Sequence, residues 1–133
     1  MTGVRLVRSQ DLADVPYAYA ATVPAGARLT FLAGSCPLDR DGRTVCVGDV
    51  AGQARAVVEN LRTALAAVGA ELTDVVSTRV LVATTRHEDL VAAWDVVSAA
   101  FGDHDVPSTL LGVTVLGWPD QLVEVEAVAI VPG

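Results

Sequence analysis

The apolar positions of this chain follow two periods, and the switch between them marks out the elements. Arg5–Ser9 and Ala18–Val23 read as short strands. Arg28-Leu29-Thr30-Phe31-Leu32-Ala33 is a stronger strand that stops at Gly34. Asp41-Gly42 marks a hairpin or tight turn before Thr44–Val47. From Asp49 the period lengthens: Val50, Ala54, Val57, Leu61, Leu65 and Val68 recur at helical spacing. Asp49 suits the N-cap and Gly69 the left-handed C-terminal position. Gln53, Arg55, Glu59 and Arg62 form the opposite, solvent-facing side. Val75–Ala83 returns to strand alternation. Thr85 and Glu88 form a capping box for a second helix, which carries Leu90, Trp94, Val97 and Phe101 and ends at Gly102. Thr109–Leu116 and Leu122–Val131 are the last strands, joined across Gly117-Trp118-Pro119-Asp120.

The order β-β-β-α-β-α-β-β predicts an α+β fold: a mixed sheet with a closing hairpin and two helices packed on one face. Residues 1–133 are expected to form one domain around one core. The uncovered sheet face would still carry valine and leucine, and a second copy of the chain is the economical cover for it.

Composition narrows the function. Hydrophobic residues are 52% and charged residues 19%, so a disordered chain is excluded. The nine basic residues are all arginine, against 16 acidic ones, for a net charge of −7 with no basic cluster. Nucleic acid is therefore not an expected partner. No apolar run reaches the ~20 residues of a membrane span, and the N-terminus shows no signal-peptide core. A cytoplasmic location without a membrane partner is expected. Cys36 and Cys46 flank the Asp41-Gly42 turn almost symmetrically and read as free thiols. His87 and His104 lie in separate polar segments, so neither a metal site nor a cofactor is expected.

The candidate chemistry starts in the last strand. Glu124 and Glu126 stand two residues apart in an apolar run, so they share a face. A carboxylate there is either solvated on an antiparallel strand, held structurally, or kept for acid–base work. Ser108 and Thr109 enter a strand and can bind polar substrate atoms; no nearby base activates Ser108 as a nucleophile. Ala33-Gly34-Ser35 ends a strand in a segment able to present backbone groups to a ligand, without any phosphate-loop pattern. Tyr17 and Trp118 are candidate cleft walls or simple packing groups. Arg79 in its apolar strand is either a carboxylate clamp or the partner of a glutamate.

Together these segments resemble the RidA family, also called the YjgF/YER057c/UK114 or endoribonuclease L-PSP family, over nearly the whole chain. Pro16-Tyr17 is similar to its early Pro-Tyr, and Ala33-Gly34-Ser35-Cys36-Pro37 to its Ser-Gly-Gln-x-Pro. Gln53 and Asn60 match its Gln–Asn helix. Ala67-Val68-Gly69-Ala70 with Asp74-Val75-Val76 continues the match. Val106-Pro107-Ser108-Thr109 with Leu122–Ala127 closes it. The resemblance implies a chorismate-mutase-like fold and a homotrimer with a central barrel and clefts between subunits. It implies hydrolysis of reactive enamines or imines to 2-keto acids and ammonia, with an arginine clamping the substrate carboxylate. Glu124 would activate water, Glu126 would be structural, and Tyr17 with the backbone after the Gly34 turn would line the cleft. The departures are Ser108 where ungapped alignment puts the arginine, Ala33 in place of a serine, and the Leu116-Gly117-Trp118-Pro119 connection. They place the chain in an arginine-lacking subgroup. The expected function is an imine or enamine deaminase-like hydrolase with an altered substrate, Ser108 and Thr109 binding polar atoms and Arg79 a substitute clamp. The alternatives are a non-hydrolytic cyclase or dehydratase of specialised metabolism and a metabolite-binding module.

Overall fold

The computed structural model describes residues 3–132. A short hairpin pairs β1 (Arg5–Val7) with β2 (Ala20–Thr22). The main sheet contains β3 (Arg28–Phe31), β4 (Val75–Ala83), β5 (Ser108–Val113) and β6 (Val123–Val131) in the order β3-β6-β4-β5. Two helices, α1 (Val50–Ala67) and α2 (His87–Phe101), cover one face, as the alternation of periods predicts.

The core is where the two periods meet. On β6 the residues Val123, Val125, Ala127 and Ala129 are buried and alternate with half-buried Glu124, Glu126 and Val128. They pack with Val80 and Val82 of β4 against Val57, Leu61 and Leu65 of α1 and Val97 and Phe101 of α2. Asp49 caps α1 by accepting the Gly52 N–H at 3.0 Å, and Gly69 takes φ +77° just past its end.

Three expectations change. The last two strands do not form a hairpin. β5 runs parallel to β4 at the sheet edge, because α2 connects them, and β6 pairs antiparallel with β4 on its other side. Nine residues separate β5 from β6, enough to cross over β4, and the nine-residue β6 then matches the nine-residue β4. The Asp41-Gly42 turn carries a single bridge, Leu38 to Thr44, before Cys46 turns the chain at φ +51°. Helix α2 starts one residue later than the Thr85 box implies. Thr84 Oγ1 accepts the Arg86 N–H at 3.0 Å and bonds Asp89 at 2.6 Å, while Glu88 pairs with Arg86. Finally, Gln53 is fully buried rather than solvent-facing, because it stands four residues before Val57 on the same stripe.

Candidate active site around Glu124

The site forms where β3 fails to keep step with β6. Leu32 N–H bonds Ala127 O at 3.2 Å and Ser35 N–H bonds Val125 O at 2.7 Å. Two residues, Ala33 and Gly34, therefore stand opposite the single residue Glu126. This is a β-bulge, a device that bends a strand and re-aims nearby side chains. Gly34 is set by contact: a Cβ there would overlap the Oε2 atom and the carboxyl carbon of Glu124.

Glu124 is held from one side. Its Oε1 accepts the Cys36 thiol at 3.3 Å and the Gln121 amide at 3.1 Å. Gln121 is buried and also donates to Val123 O and accepts the Trp118 N–H, each at 3.1 Å. Burial pushes the Cys36 thiol up from 9.0 to about 11, helped by its hydrogen bond to Glu124 and that carboxylate's charge; Gln121 and Trp118 pull weakly the other way. Cys36 thus stays a protonated donor at neutral pH and cannot act as a thiolate nucleophile.

Helix α1 fixes the loops that carry these groups. Asn60 donates to Cys36 O at 2.8 Å and Leu38 O at 3.0 Å. Gln53 donates to Asp120 O at 2.9 Å and accepts the Leu122 N–H at 2.7 Å, bracketing the loop that holds Gln121. These supports sit in the Gln–Asn pattern of the sequence, but only the packing reveals what they grip.

The other candidates divide by location. Ser35 is committed to the fold: it is buried, its hydroxyl bonds Val57 O at 2.7 Å and its N–H joins the sheet. Ala33 and Trp118 are exposed near Glu124. Arg79 pairs with Glu126 at 3.4 Å, directly across β4 and β6. Ser108 lies beside Thr78, on the helix side of the sheet, and only Thr109 shares the Glu124 face. Tyr17 packs edge-on against Trp94, ring centroids 6.1 Å apart, in a recess with Ser108 and Thr109. Thr109 pairs with Arg79, two strands from β6, roughly 10 Å at normal strand spacing. Within one chain the candidates therefore fall into two separate groups, Glu124 with the Gly34 bulge and Tyr17 with Thr109. Sequence reasoning missed Cys36 and Gln121 as carboxylate partners; neither has a local signal, because both reach Glu124 through loop packing.

The family model for endoribonuclease L-PSP matches residues 10–131. The chain belongs to this family. Like the RidA resemblance read from the sequence, the match spans nearly the whole fold. A RutC family protein of Pyrococcus horikoshii is 32% identical over 111 residues, covering 84% of this chain and 85% of that protein. Protein DfrA of Myxococcus xanthus is 46% identical over 61 residues, a match spanning 46% of each chain. Among solved structures, the Rid-family protein YyfB of Yersinia pestis superposes with a TM-score of 0.88 at 28% identity, covering 97% of this chain and 99% of the other. The endoribonuclease L-PSP family fold is thus an α+β sheet with both helices on one face, and the chain has it throughout.

Proposed function

We propose that the protein hydrolyses a reactive imine or enamine of a small molecule to a carbonyl compound and ammonia, as a homotrimer whose clefts join the two half-sites of neighbouring subunits. The observation that carries this reading is the presentation of Glu124. Two donors anchor Oε1, and Oε2 is left toward the Gly34 bulge. A carboxylate fixed by one oxygen is pre-oriented to take a proton with the other.

In this mechanism Glu124 takes a proton from water as the water oxygen bonds to the imine carbon. The π pair moves to nitrogen, and Glu124 returns the proton there, giving a carbinolamine. The same carboxylate then carries the hydroxyl proton to nitrogen. The C–N bond breaks, the carbonyl forms and ammonia leaves. Cys36 and Gln121 act through Glu124 as positioning residues.

The substrate differs from a 2-imino acid. Ser108 and Thr109 are uncharged, and Arg79 is engaged by Glu126. A charged contact of this kind is worth ~2–5 kcal/mol, roughly 30- to several-thousand-fold in rate. Ammonia release from 2-iminopropionate generated in situ, beside an uncharged imine of similar size, tests the reading. The uncharged imine is expected to turn over faster, and Glu124→Gln to lower the rate about 10²–10⁴-fold. Failure of both imines to react rejects the hydrolase; an unchanged rate in Glu124→Gln rejects the role of that residue.

The uncharged surroundings also suit a second reading, a cyclase or dehydratase using the same glutamate. Product mass separates them, since imine hydrolysis exchanges nitrogen for oxygen. RNA cleavage, the activity in the family model's name, finds little support. The net charge is −7, and Arg8, Arg43, Arg62, Arg79 and Arg86 already pair with carboxylates.

A further inference from the structure

Strand β5 borders a second recess, on the face of the sheet that Glu124 does not reach. Ser108 stands with Thr78 and Ala127 on the helix side, whereas Glu124 stands with Leu81 on the other. Between β5 and α2 the side chains line a partly open cavity of about 240 Å³. Its walls are Pro16, Trp94, Val97, Phe101 and Val106. Most of that lining is apolar, and Val97 and Val106 are almost fully buried.

The polar atoms inside are unusually restricted in what they offer. Thr78 Oγ1 and Ser108 Oγ lie 2.8 Å apart, and Ser108 donates to Val106 O at 2.9 Å. A hydroxyl has one proton. Ser108 spends its own on Val106, so Thr78 donates to Ser108, and the pair keeps only acceptor lone pairs. The lining includes no arginine, lysine or histidine. Asp105, also in the lining, is bound by Arg8 at 2.5 Å.

We propose that this cavity binds a small uncharged molecule, one aromatic ring in size, that carries a short hydroxyl or N–H donor arm. A dry cavity of ~150 Å³ holds benzene, so this one has room for a ring and its arm. The arm donates to the Thr78–Ser108 pair while the ring packs on Trp94 and Phe101. A carboxylate would set acceptors against acceptors and bury a charge without a partner. The cavity lies on the opposite face from the Glu124 of its own chain and adjoins the Tyr17 recess through Pro16, Trp94 and Ser108; its ligand preference is argued from its own lining and does not rest on the hydrolase reading.

The test is a titration with benzyl alcohol, toluene and benzoate, followed through the indole N–H signals of Trp94 and Trp118 by NMR. Benzyl alcohol is expected to shift the Trp94 signal and not that of Trp118. It should bind about 5- to 10-fold tighter than toluene, the worth of one neutral hydrogen bond. Benzoate should bind at least roughly tenfold more weakly than the alcohol, for want of a counter-charge. Thr78→Val keeps the shape and removes an acceptor, so the alcohol's advantage over toluene should shrink at least about threefold. Ser98→Phe fills the cavity from α2 and should abolish binding of all three. Glu124→Gln should leave the three affinities unchanged, which separates this site from the proposed chemistry. Benzoate binding as tightly as benzyl alcohol would overturn the proposal. So would an unchanged alcohol advantage in Thr78→Val, or no movement of Trp94 by any of the three. Should Ser98→Phe lose the dispersed spectrum of a folded protein, the Thr78→Val comparison decides alone.

Discussion

Glu124 draws its character from neighbours that no sequence pattern announces. Cys36 stands at the unspecified position of the Ser-Gly-Gln-x-Pro pattern it resembles, yet its thiol donates to the carboxylate and is pushed up to about 11 by burial and by that same carboxylate. The consequence is a pH effect of definite sign. The folded protein holds the Cys36 proton more tightly than the unfolded chain, so stability from this group is intact below about pH 9 and falls as pH rises toward 11. Alkylation of Cys36 by iodoacetamide should accordingly stay slow at pH 8 and accelerate with an apparent pKa near 11. Glu124→Gln removes the charge and should lower that apparent pKa; no change would show that the carboxylate does not govern the thiol. Gly34 makes the complementary case. Gly34→Ala puts a methyl into Glu124 Oε2, so ammonia release should fall at least about tenfold while the fold, anchored by Ser35 on Val125, survives.

At the scale of elements, the switch from period two to period 3.6 made the strands, both helices and their stacking on one face legible from the chain. What stayed hidden depends on tertiary choice. Strand β6 carries the same alternation whether it pairs with β5 or with β4, so the pattern names its faces but not its neighbour. Gln53 was misread because polarity suggested solvent, while its position on the Val57 stripe placed it inside. Burial makes it a brace: its amide bonds Asp120 O and Leu122 N–H, and that loop delivers Gln121 to Glu124. Gln53→Ala leaves a cavity and strands both backbone groups. The expected cost is ~2–4 kcal/mol in chemical denaturation, with a loss of ammonia release at temperatures where the variant is still folded. A variant that unfolds like wild type would mean that the loop holds itself. Glu124 and its apolar strand were visible in sequence, whereas the bulge, the Cys36 bond and the helix-side orientation of Ser108 arise only once strands are in register.

The whole molecule poses the largest remaining demand, because one face of the main sheet is uncovered. Leu29 and Phe31 stand opposite Ile130 and Val128 on that face, and Phe31 is 74% exposed. Exposed Leu29 and Phe31 stand together on this face, and a contiguous exposed apolar patch is the kind of surface that takes a partner. The proposed function makes the same demand, since Tyr17 and Thr109 lie too far along the sheet to meet Glu124 within one chain. The proposed homotrimer would meet both, by burying Phe31 and bringing the Tyr17 recess of one subunit to the Glu124 bulge of the next. Light scattering on a sizing column should give about 41 kDa for wild type, three times the 13.8 kDa chain. Phe31→Glu buries a charge at each contact and should shift the mass toward 13.8 kDa. It touches none of the groups around Glu124, so ammonia release should fall with the fraction of trimer and recover at high protein concentration. Wild type running at 13.8 kDa would end the trimer proposal. Full activity in a monomeric Phe31→Glu variant would show instead that Glu124 works without a neighbouring subunit.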